Sequence, residues 1–326
     1  MRGGGARQHG PRPAGPAPRA PTPNRKPSPH TAGAVTRTRH TFQGLLLFLP
    51  AFLVIFGFIF FPVAYSFWLS FTNKHAILPQ YEYVGLGNYT ELSTDQYYWL
   101  SFWRGLIFAG GSIFFQVLLG LLVALVLNEP FRGRGFVRGI TLFPYMLPTI
   151  VVILLWKWLL SASYGPVNYV LQAGGITQTP VVWLGDRWLM TSTIFIAVWQ
   201  FFPFVVISLL ARLQTIDLQL YEAAAIDGAN TWRRFLHITL PELRYVLFVI
   251  ILLRTFFMFT KFDVPWLMAT GGGLQELVQN LPVFAFRKTF RFMQAGEGAA
   301  ISISLFLLLI LLSLVYFRMF RRGTEV

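Results

Sequence analysis

The chain has 326 residues, of which 55% are hydrophobic, 17% aromatic and only 12% charged. Because soluble globular domains carry about 25% charged residues, this composition excludes an ordinary water-soluble domain and indicates a polytopic membrane protein. The net charge of +14 does not indicate nucleic-acid binding, since the basic residues gather in an N-terminal tail and beside apolar stretches. The absence of cysteine excludes disulfides, thiolate metal sites and a cysteine nucleophile.

Residues 1–41 are rich in Pro, Gly and Arg and contain no acidic residue. Such a segment cannot bury enough apolar surface to offset its ordering entropy, so we expect a disordered, basic cytoplasmic tail. It does not resemble a secretory signal peptide, because the apolar stretch behind it is much longer than the ~7–15 residues of such a peptide.

Residues 42–322 contain six apolar stretches that are long enough to cross a bilayer core of ~30 Å, which takes about 20 helical residues. They cover approximately residues 44–71, 105–127, 140–160, 189–211, 245–268 and 299–317. The alternating short strands of a membrane barrel are absent from the sequence, so the spans are expected to be helices. The sequence therefore predicts an all-α polytopic membrane protein with six transmembrane helices.

The distribution of Lys and Arg predicts the orientation of these spans. Most basic residues lie in the tail, in the loop after the second span, around residues 213–243 and at the C-terminus. Fewer lie in the opposite loops, where Arg287, Lys288 and Arg291 form the one cluster that breaks the pattern. We therefore expect both termini and residues 213–243 on the cytoplasmic side.

A polar segment separates the fourth and fifth spans and reads EAAAIDGANTWRRFLHITLP from residue 222. Thr215 or Asp217 is suited to cap a helix over residues 218–226, because its side chain can accept a hydrogen bond from a free amide of the first turn. Gly228 then permits a backbone conformation that is costly for other residues. The pattern predicts a helix followed by a sharp turn.

After this turn we expect a second short helix over residues 229–236, and Pro241, which lacks an amide hydrogen, suits the entry to the fifth span. The pattern of the segment is Glu222-Ala223-Ala224, then Gly228, then Ile238-x-Leu240-Pro241. It resembles the cytoplasmic EAA loop of permease subunits in binding-protein-dependent ABC importers. In that family the loop docks on a separate ATPase and passes its motion to the membrane.

Three further segments resemble carbohydrate-importer permeases. They are YVGLGNYTEL at residues 83–92, GPVNYVL at 165–171 and FDVPWLMATGGG at 262–273, where Leu274 replaces the proline that usually follows. The resemblance covers nearly all of residues 44–318. It implies the type I fold of ABC importer permeases, and it fits the first permease of a maltose-type or glycerol-phosphate-type heterodimer.

The resemblance implies a transport subunit rather than an enzyme, with no cofactor or metal of its own. No G-x-x-x-x-G-K-[ST] phosphate loop occurs in the sequence, so ATP hydrolysis must come from a partner. The implied assembly contains a second homologous permease, two cytoplasmic ATPase subunits and an extracytoplasmic solute-binding protein. It would lie in the lipid bilayer of a bacterial plasma membrane and import a carbohydrate or related polyol, with no nucleic acid as partner.

The same resemblance implies that a loop at about residues 213–243 contacts the ATPase. The expected coupling residues are Glu222, Ala223, Ala224, Asp227, Gly228, Ala229, Arg233, Phe235, Ile238, Leu240 and Pro241. The alanines keep the helix slim enough to sit in a groove, and the Glu222 carboxylate would fix its register against the partner. Ordinary positive-inside charge explains Arg233 equally well.

Charged residues inside a span are costly, so each is a functional candidate. The predicted fifth span contains Arg254, Lys261 and Asp263. On a continuous helix Arg254 and Lys261 share one face, and Asp263 lies on roughly the opposite face, so Asp263 is expected to pair with neither. Arg254 either lines the substrate path or forms an interhelical salt bridge with the partner permease.

Two other functions are weaker hypotheses. An ion-coupled carrier or channel that works without an ATPase would need buried acidic residues or broken helices, whereas four of the six predicted spans carry no charge. An intramembrane enzyme would need a constellation of His, Asp, Glu or Ser at membrane depth. None of the five histidines falls within a predicted span.

Overall fold

A computed structural model of the protein describes residues 48–269 and 275–322. Within these ranges every regular element is helical, and β-type pairing is confined to two isolated bridges. The chain divides into a unit that ends at Phe60 and a unit that begins at Phe61. The predicted tail over residues 1–41 lies outside the described residues, as does the glycine-rich segment 270–274.

The first unit is helical over its described residues 48–60 and ends in a π-helical turn, Phe56–Phe60. The second unit contains, in chain order, α1 (Phe61–Leu69), α2 (Gly87–Thr94), α3 (Gln96–Asn128), α4 (Arg134–Met146), α5 (Thr149–Leu159), α6 (Pro166–Ala173), α7 (Leu189–Leu213), α8 (Leu218–Ile226), α9 (Thr231–Arg234), α10 (Leu240–Phe259), α11 (Asp263–Ala269), α12 (Gln275–Val278), α13 (Leu281–Phe286) and α14 (Ala295–Arg322). Two more π-helical turns lie at Phe235–Thr239 and Arg287–Arg291.

Five helices in the described residues are long and apolar enough to cross a membrane. They are Phe48–Leu69, Gln96–Asn128, Leu189–Leu213, Thr231–Phe259 and Ala295–Met319. The pair α4 and α5 passes the same test together, although its two helices are bent by 98°. If this pair counts as one span, the total is six, the number that the hydropathy of the sequence predicts.

Three details of the predicted spans are wrong. The third span is not one helix over residues 140–160, because Leu147 is extended before Pro148, whose ring disfavours a helical residue in front of it. The second span begins at Gln96, so Arg104 lies within the helix rather than at its edge. The fifth span ends at Phe259 instead of residue 268.

The predicted second short helix over residues 229–236 is not a separate element. Helix α9, the π-helical turn Phe235–Thr239 and α10 run together as one long helix from Thr231 to Phe259. Pro241 therefore lies within this helix, and the Leu240 N–H donates to the Phe235 carbonyl in the wide turn just before it. The wide turn makes room for the proline ring, which would clash with the preceding turn of a regular α-helix.

The core of the second unit is centred on the contact between α3 and α7. Gly120 of α3 faces Val205 of α7 so closely that an added Cβ would lie 2.6 Å from the valine side chain. Small residues of this kind let membrane helices approach each other, since dispersion contacts take the place of the hydrophobic effect in lipid. Phe108 and Leu209 are fully buried on the same two helices.

Two asparagines in the segments that resemble carbohydrate-importer permeases hold loops in place. The Asn88 Nδ2 donates to the carbonyls of Ser70 (2.8 Å) and Thr72 (2.9 Å) at the end of α1. The Asn168 side chain donates to the Val181 carbonyl at 3.0 Å and accepts from the Val181 N–H at 3.1 Å. Both side chains are buried, so losing either one would leave loop carbonyls without a donor.

Candidate coupling and translocation sites

The coupling segment, residues 213–243, begins with a well-capped helix. The Asp217 carboxylate accepts a hydrogen bond from the Gln219 N–H at 2.9 Å, and α8 starts at the next residue, Leu218. This cap satisfies one of the free amides of the first turn. The predicted helix over residues 218–226 is confirmed, and Asp217 rather than Thr215 is its cap.

The turn after α8 depends on Gly228. Its φ is +75°, a left-handed conformation that L side chains rarely adopt. The Gly228 N–H donates to the Ala225 carbonyl at 3.1 Å, and the Ala229 N–H donates to the Ala224 carbonyl at 2.9 Å. These two bonds form the Schellman motif that commonly ends helices, so the predicted sharp turn is confirmed.

The second helix starts directly after the turn. The Asn230 side chain accepts a hydrogen bond from the Arg233 N–H at 2.8 Å and so caps α9. The Trp232 and Phe235 rings stack with centroids 5.6 Å apart on the outside of this helix. The coupling segment is therefore a compact helix–turn–helix. Local hydrogen bonds cap the starts of α8 and α9 and the end of α8.

Large apolar side chains are exposed on this segment. Leu218 is 73% exposed, Ile226 87% and Trp232 65%. We call these three residues the apolar coupling surface. Large apolar side chains that are exposed on a polar segment are a feature of interaction surfaces in many proteins.

The predicted coupling residues lie on both sides of this helix–turn–helix. Those that are exposed are Glu222, Ala223, Asp227, Gly228, Arg233 and Pro241. Those that are half-buried are Ala224, Ala229, Phe235, Ile238 and Leu240. Ile238 packs against the hydrophobic core between α7 and α10, so its position is explained by folding as well as by coupling.

Two side-chain contacts that the sequence analysis missed join the coupling segment to the spans. The Tyr221 Oη of α8 lies 2.9 Å from the Thr239 Oγ1, at the start of the fifth span. The Arg212 guanidinium, at the end of α7, contacts the Glu242 carboxylate at 2.5 Å and donates from its Nε to the Glu242 carbonyl at 3.2 Å. No local pattern links these residues, because their partners lie 18 and 30 positions away.

Arg254 lies inside the protein in the last third of α10, where only 3% of it is exposed. Its Nε donates to the Gln116 Oε1 of α3 at 2.7 Å, and the Gln116 Nε2 donates onward to the Ala197 carbonyl at 3.2 Å. The guanidinium also lies over the rings of Phe201 (5.1 Å) and Phe204 (5.7 Å). Neutral groups surround this charge, and no carboxylate among the described residues forms an ion pair with it.

Lys261 and Asp263 form an ion pair, with the lysine Nζ 3.2 Å from the Asp263 Oδ1. The expectation that Asp263 pairs with neither cation is therefore wrong. It assumed one continuous helix, but the helix ends at Phe259 and Asp263 opens the new helix α11. Arg254 and Lys261 are nevertheless close to each other, as expected, because both cations lie over the Phe201 ring. The Lys261 Nζ is 4.4 Å from the centroid of this ring.

One residue of the basic cluster that broke the charge pattern, Lys288, has acidic partners. The Lys288 Nζ lies 2.6 Å from the Glu297 carboxylate and 3.7 Å from that of Asp95. Arg287 donates to the Gln279 side chain. Burial, and then the nearby Arg291 charge, lower the pKa of Arg287 from its ordinary value. These contacts give Lys288 and Arg287 a structural role.

The known proteins to which this chain is similar are membrane components of transport systems. A family model described as "Binding-protein-dependent transport system inner membrane component" matches residues 116–324. The chain is 38% identical over 282 residues to the trehalose/maltose transport system permease protein MalF of Thermococcus litoralis, covering 86% of this chain and 94% of that protein. It is 34% identical over 289 residues to the diacetylchitobiose uptake system permease protein DasB of Streptomyces coelicolor, covering 86% and 87%.

A solved structure shares the fold. It is the bacterial alginate ABC transporter in complex with its alginate pentasaccharide-bound periplasmic protein, of which one chain matches with a TM-score of 0.79. The match covers 90% of this chain and 99% of that chain at 22% identity. At this identity the likeness concerns the fold alone, and it agrees with the type I permease fold expected from the sequence.

Proposed function

The chain belongs to the family of binding-protein-dependent transport system inner membrane components, and on that premise we propose that it forms, with a second permease, the path of a carbohydrate importer. It is a multi-pass inner-membrane permease subunit of an ABC importer, a transport subunit rather than an enzyme. The names of its relatives, which give trehalose/maltose and diacetylchitobiose as their cargo, support a carbohydrate or related polyol as substrate. Family membership favours this function over that of an ion-coupled carrier.

The observation that carries the coupling role is the apolar coupling surface. Leu218, Ile226 and Trp232 are exposed on the helix–turn–helix between the end of α7 and the start of α10. A cytoplasmic ATPase subunit would cover these side chains, and the exposed Glu222 carboxylate beside them would fix the register of the contact. This assignment places both chain termini and the coupling segment in the cytoplasm, as the excess of Lys and Arg there favours.

The contacts at the base of the coupling segment give a route for the motion. When ATP binding closes the ATPase dimer, α8 moves with the surface on which it docks. The hydrogen bond between Tyr221 and Thr239 carries this motion to the fifth span, and the ion pair between Arg212 and Glu242 keeps α7 and α10 together. The two spans then move as one body, because packed helices shift as units rather than deforming continuously.

The Arg254 region is the proposed translocation path. A buried guanidinium has five N–H donors, and sugar hydroxyls can accept from those that Gln116 does not use. The guanidinium lies over the rings of Phe201 and Phe204, which hold it in position for such contacts. Lys261 and its partner Asp263 lie at the end of the same span, where they would contact substrate hydroxyls at the outer part of the path.

Transport in proteoliposomes tests this function. The complete complex would contain this chain, the second permease, the ATPase subunits and the solute-binding protein, with maltose, trehalose and diacetylchitobiose as candidate cargo. We expect uptake that needs both ATP and the loaded binding protein. Uptake by this chain alone, without an ATPase, would establish the ion-coupled carrier instead.

A further inference from the structure

Helix α4 and the pocket behind it have no role in the function proposed above. The pocket has a volume of about 250 Å³ and lies between α4 and the ends of α3 and α7. Its wall is apolar at Leu127, Leu142, Val206 and Leu210 and polar at Arg138 and Gln214. Sites that enclose a whole small molecule usually measure about 300–1,000 Å³, so this pocket is sized for part of a larger amphipathic molecule.

The charge beside the pocket is mainly positive, with Glu129 as the one acidic residue in the loop between α3 and α4. Residues 130–146 contain Arg132, Arg134 and Arg138 and no acidic residue. The Arg138 Nη2 donates to the Leu127 carbonyl at 3.1 Å, and its Nε is buried without an acceptor among the described residues. Since a guanidinium has five N–H donors, Arg138 keeps donors for a further, anionic partner.

The outer face of α4 is apolar. Phe136, Ile140, Phe143 and Met146 are all exposed on it, at spacings of three and four residues that place them along one side of the helix. The helix is bent by 98° from α5. An amphipathic helix that lies along a membrane surface places such an apolar face among acyl chains and its arginines beside headgroups.

We propose that α4 and this pocket bind an anionic phospholipid, whose phosphate contacts Arg138 and whose acyl chain enters the apolar pocket. Basic pockets between transmembrane helices recognise lipid headgroups of this charge. Gln214, which lines the pocket, lies within the coupling segment, and Arg212 nearby holds Glu242. The bound lipid therefore supports the base of the coupling segment. The assignment of this lipid to the cytoplasmic leaflet rests on the proposed orientation of the chain, whereas the binding of the lipid does not.

Native mass spectrometry of the complete complex, purified from bilayers of phosphatidylglycerol and phosphatidylcholine, tests this proposal. We expect the wild type to retain phosphatidylglycerol in preference to phosphatidylcholine. Arg138→Gln should lower the retained phosphatidylglycerol about tenfold, because it removes a charge-assisted contact. Arg138→Lys should restore part of the retention, and inorganic phosphate should not displace the lipid.

Two further variants separate this site from a general effect of charge or folding. Arg187→Gln removes the same charge at the start of α7, where the guanidinium lies over Trp188, and should retain lipid as the wild type does. Ala211→Phe keeps every arginine but fills the pocket, and it should lose the lipid. Lipid retention is measured without transport, so its outcome is independent of the proposed importer function.

Equal retention of phosphatidylglycerol by the wild type, Arg138→Gln and Ala211→Phe would overturn the proposal. So would loss of the second permease from the Arg138→Gln complex with lipid retention unchanged, because this face would then be a subunit interface. Retention of phosphatidylcholine as strongly as phosphatidylglycerol would also contradict the proposal, since Arg138 is expected to select an anionic headgroup.

Discussion

The Tyr221 Oη and the Thr239 Oγ1 lie 2.9 Å apart and join two elements that the chain separates by 18 residues. Tyr221 belongs to α8, the helix proposed to dock on the ATPase, and Thr239 lies at the start of the fifth span. Thr239 is buried and Tyr221 is half-buried, so water does not freely replace this bond. The pair is a direct polar link between the coupling helix and the helix that continues into the fifth span.

Replacing Tyr221 with Phe should weaken the coupling of ATP hydrolysis to transport. The change removes only the hydroxyl, and a neutral hydrogen bond contributes about 0.5–1.5 kcal/mol, so we expect up to about tenfold less substrate imported per ATP. The measurement is the ratio of uptake to ATP hydrolysis in proteoliposomes. Tyr164→Phe, at an exposed tyrosine between α5 and α6, is the control and should leave the ratio unchanged. An unchanged ratio in Tyr221→Phe would remove the bond from the coupling route.

Gly228→Ala should impair the coupling segment through the backbone alone. An added Cβ at Gly228 meets no atom within 4 Å, but its φ of +75° costs an alanine about 1–2 kcal/mol. We expect lower ATPase stimulation by the loaded binding protein, with Gly228→Pro still more severe because proline cannot adopt this φ. Gly110→Ala, in α3 and equally free of neighbours, should be neutral. Normal stimulation in Gly228→Pro would show that the turn is dispensable.

The ion pair between Arg212 and Glu242 should stabilise the complex only modestly. The two side chains are 36% and 38% exposed, and double-mutant cycles of exposed pairs typically give about 0.2–1 kcal/mol. A double-mutant cycle with Arg212→Gln and Glu242→Gln, read from thermal unfolding in detergent, should give a coupling energy in this range that falls as salt is added. A coupling energy that is zero at low salt would mean that other contacts hold α7 against α10.

Arg254→Met should reduce transport while the coupling machinery stays intact. It removes the charge between Gln116 and the Phe201 ring but keeps an apolar side chain of similar length in a buried position. We expect at least about tenfold lower uptake, with the ATPase still stimulated by the loaded binding protein, because the contact to substrate and not the ATPase docking is lost. Loss of stimulation together with uptake would instead assign Arg254 to the packing of α3 against α10.

Local features of the coupling segment could be predicted from sequence because short-range rules govern them. Asp217 caps the helix that follows it and Gly228 takes the left-handed conformation, each for reasons contained in a few neighbouring residues. The spans followed from hydropathy in the same way. The break in the third span also has a local cause, because Pro148 disfavours a helical conformation in the residue before it, Leu147.

Long-range contacts could not be predicted in this way. Gln116 is a neutral residue in an apolar span, and nothing near it in the sequence indicates that it accepts from Arg254, 138 positions away. A helical projection could not predict the pairing of Lys261 with Asp263, because the helix ends at Phe259, before both residues. Uncharged polar residues within apolar spans are the sequence signal that could have pointed to Gln116.

The central claim is that the apolar coupling surface docks on the ATPase, and photo-cross-linking from a single cysteine tests it most directly. The chain has no native cysteine, so benzophenone maleimide reacts with this chain only at the introduced residue. In the complete complex, the account predicts that Ile226→Cys, 87% exposed at the end of α8, cross-links to the ATPase subunit, whereas Tyr164→Cys, 71% exposed, does not. Capture of the ATPase from position 164, or from neither position, would contradict it.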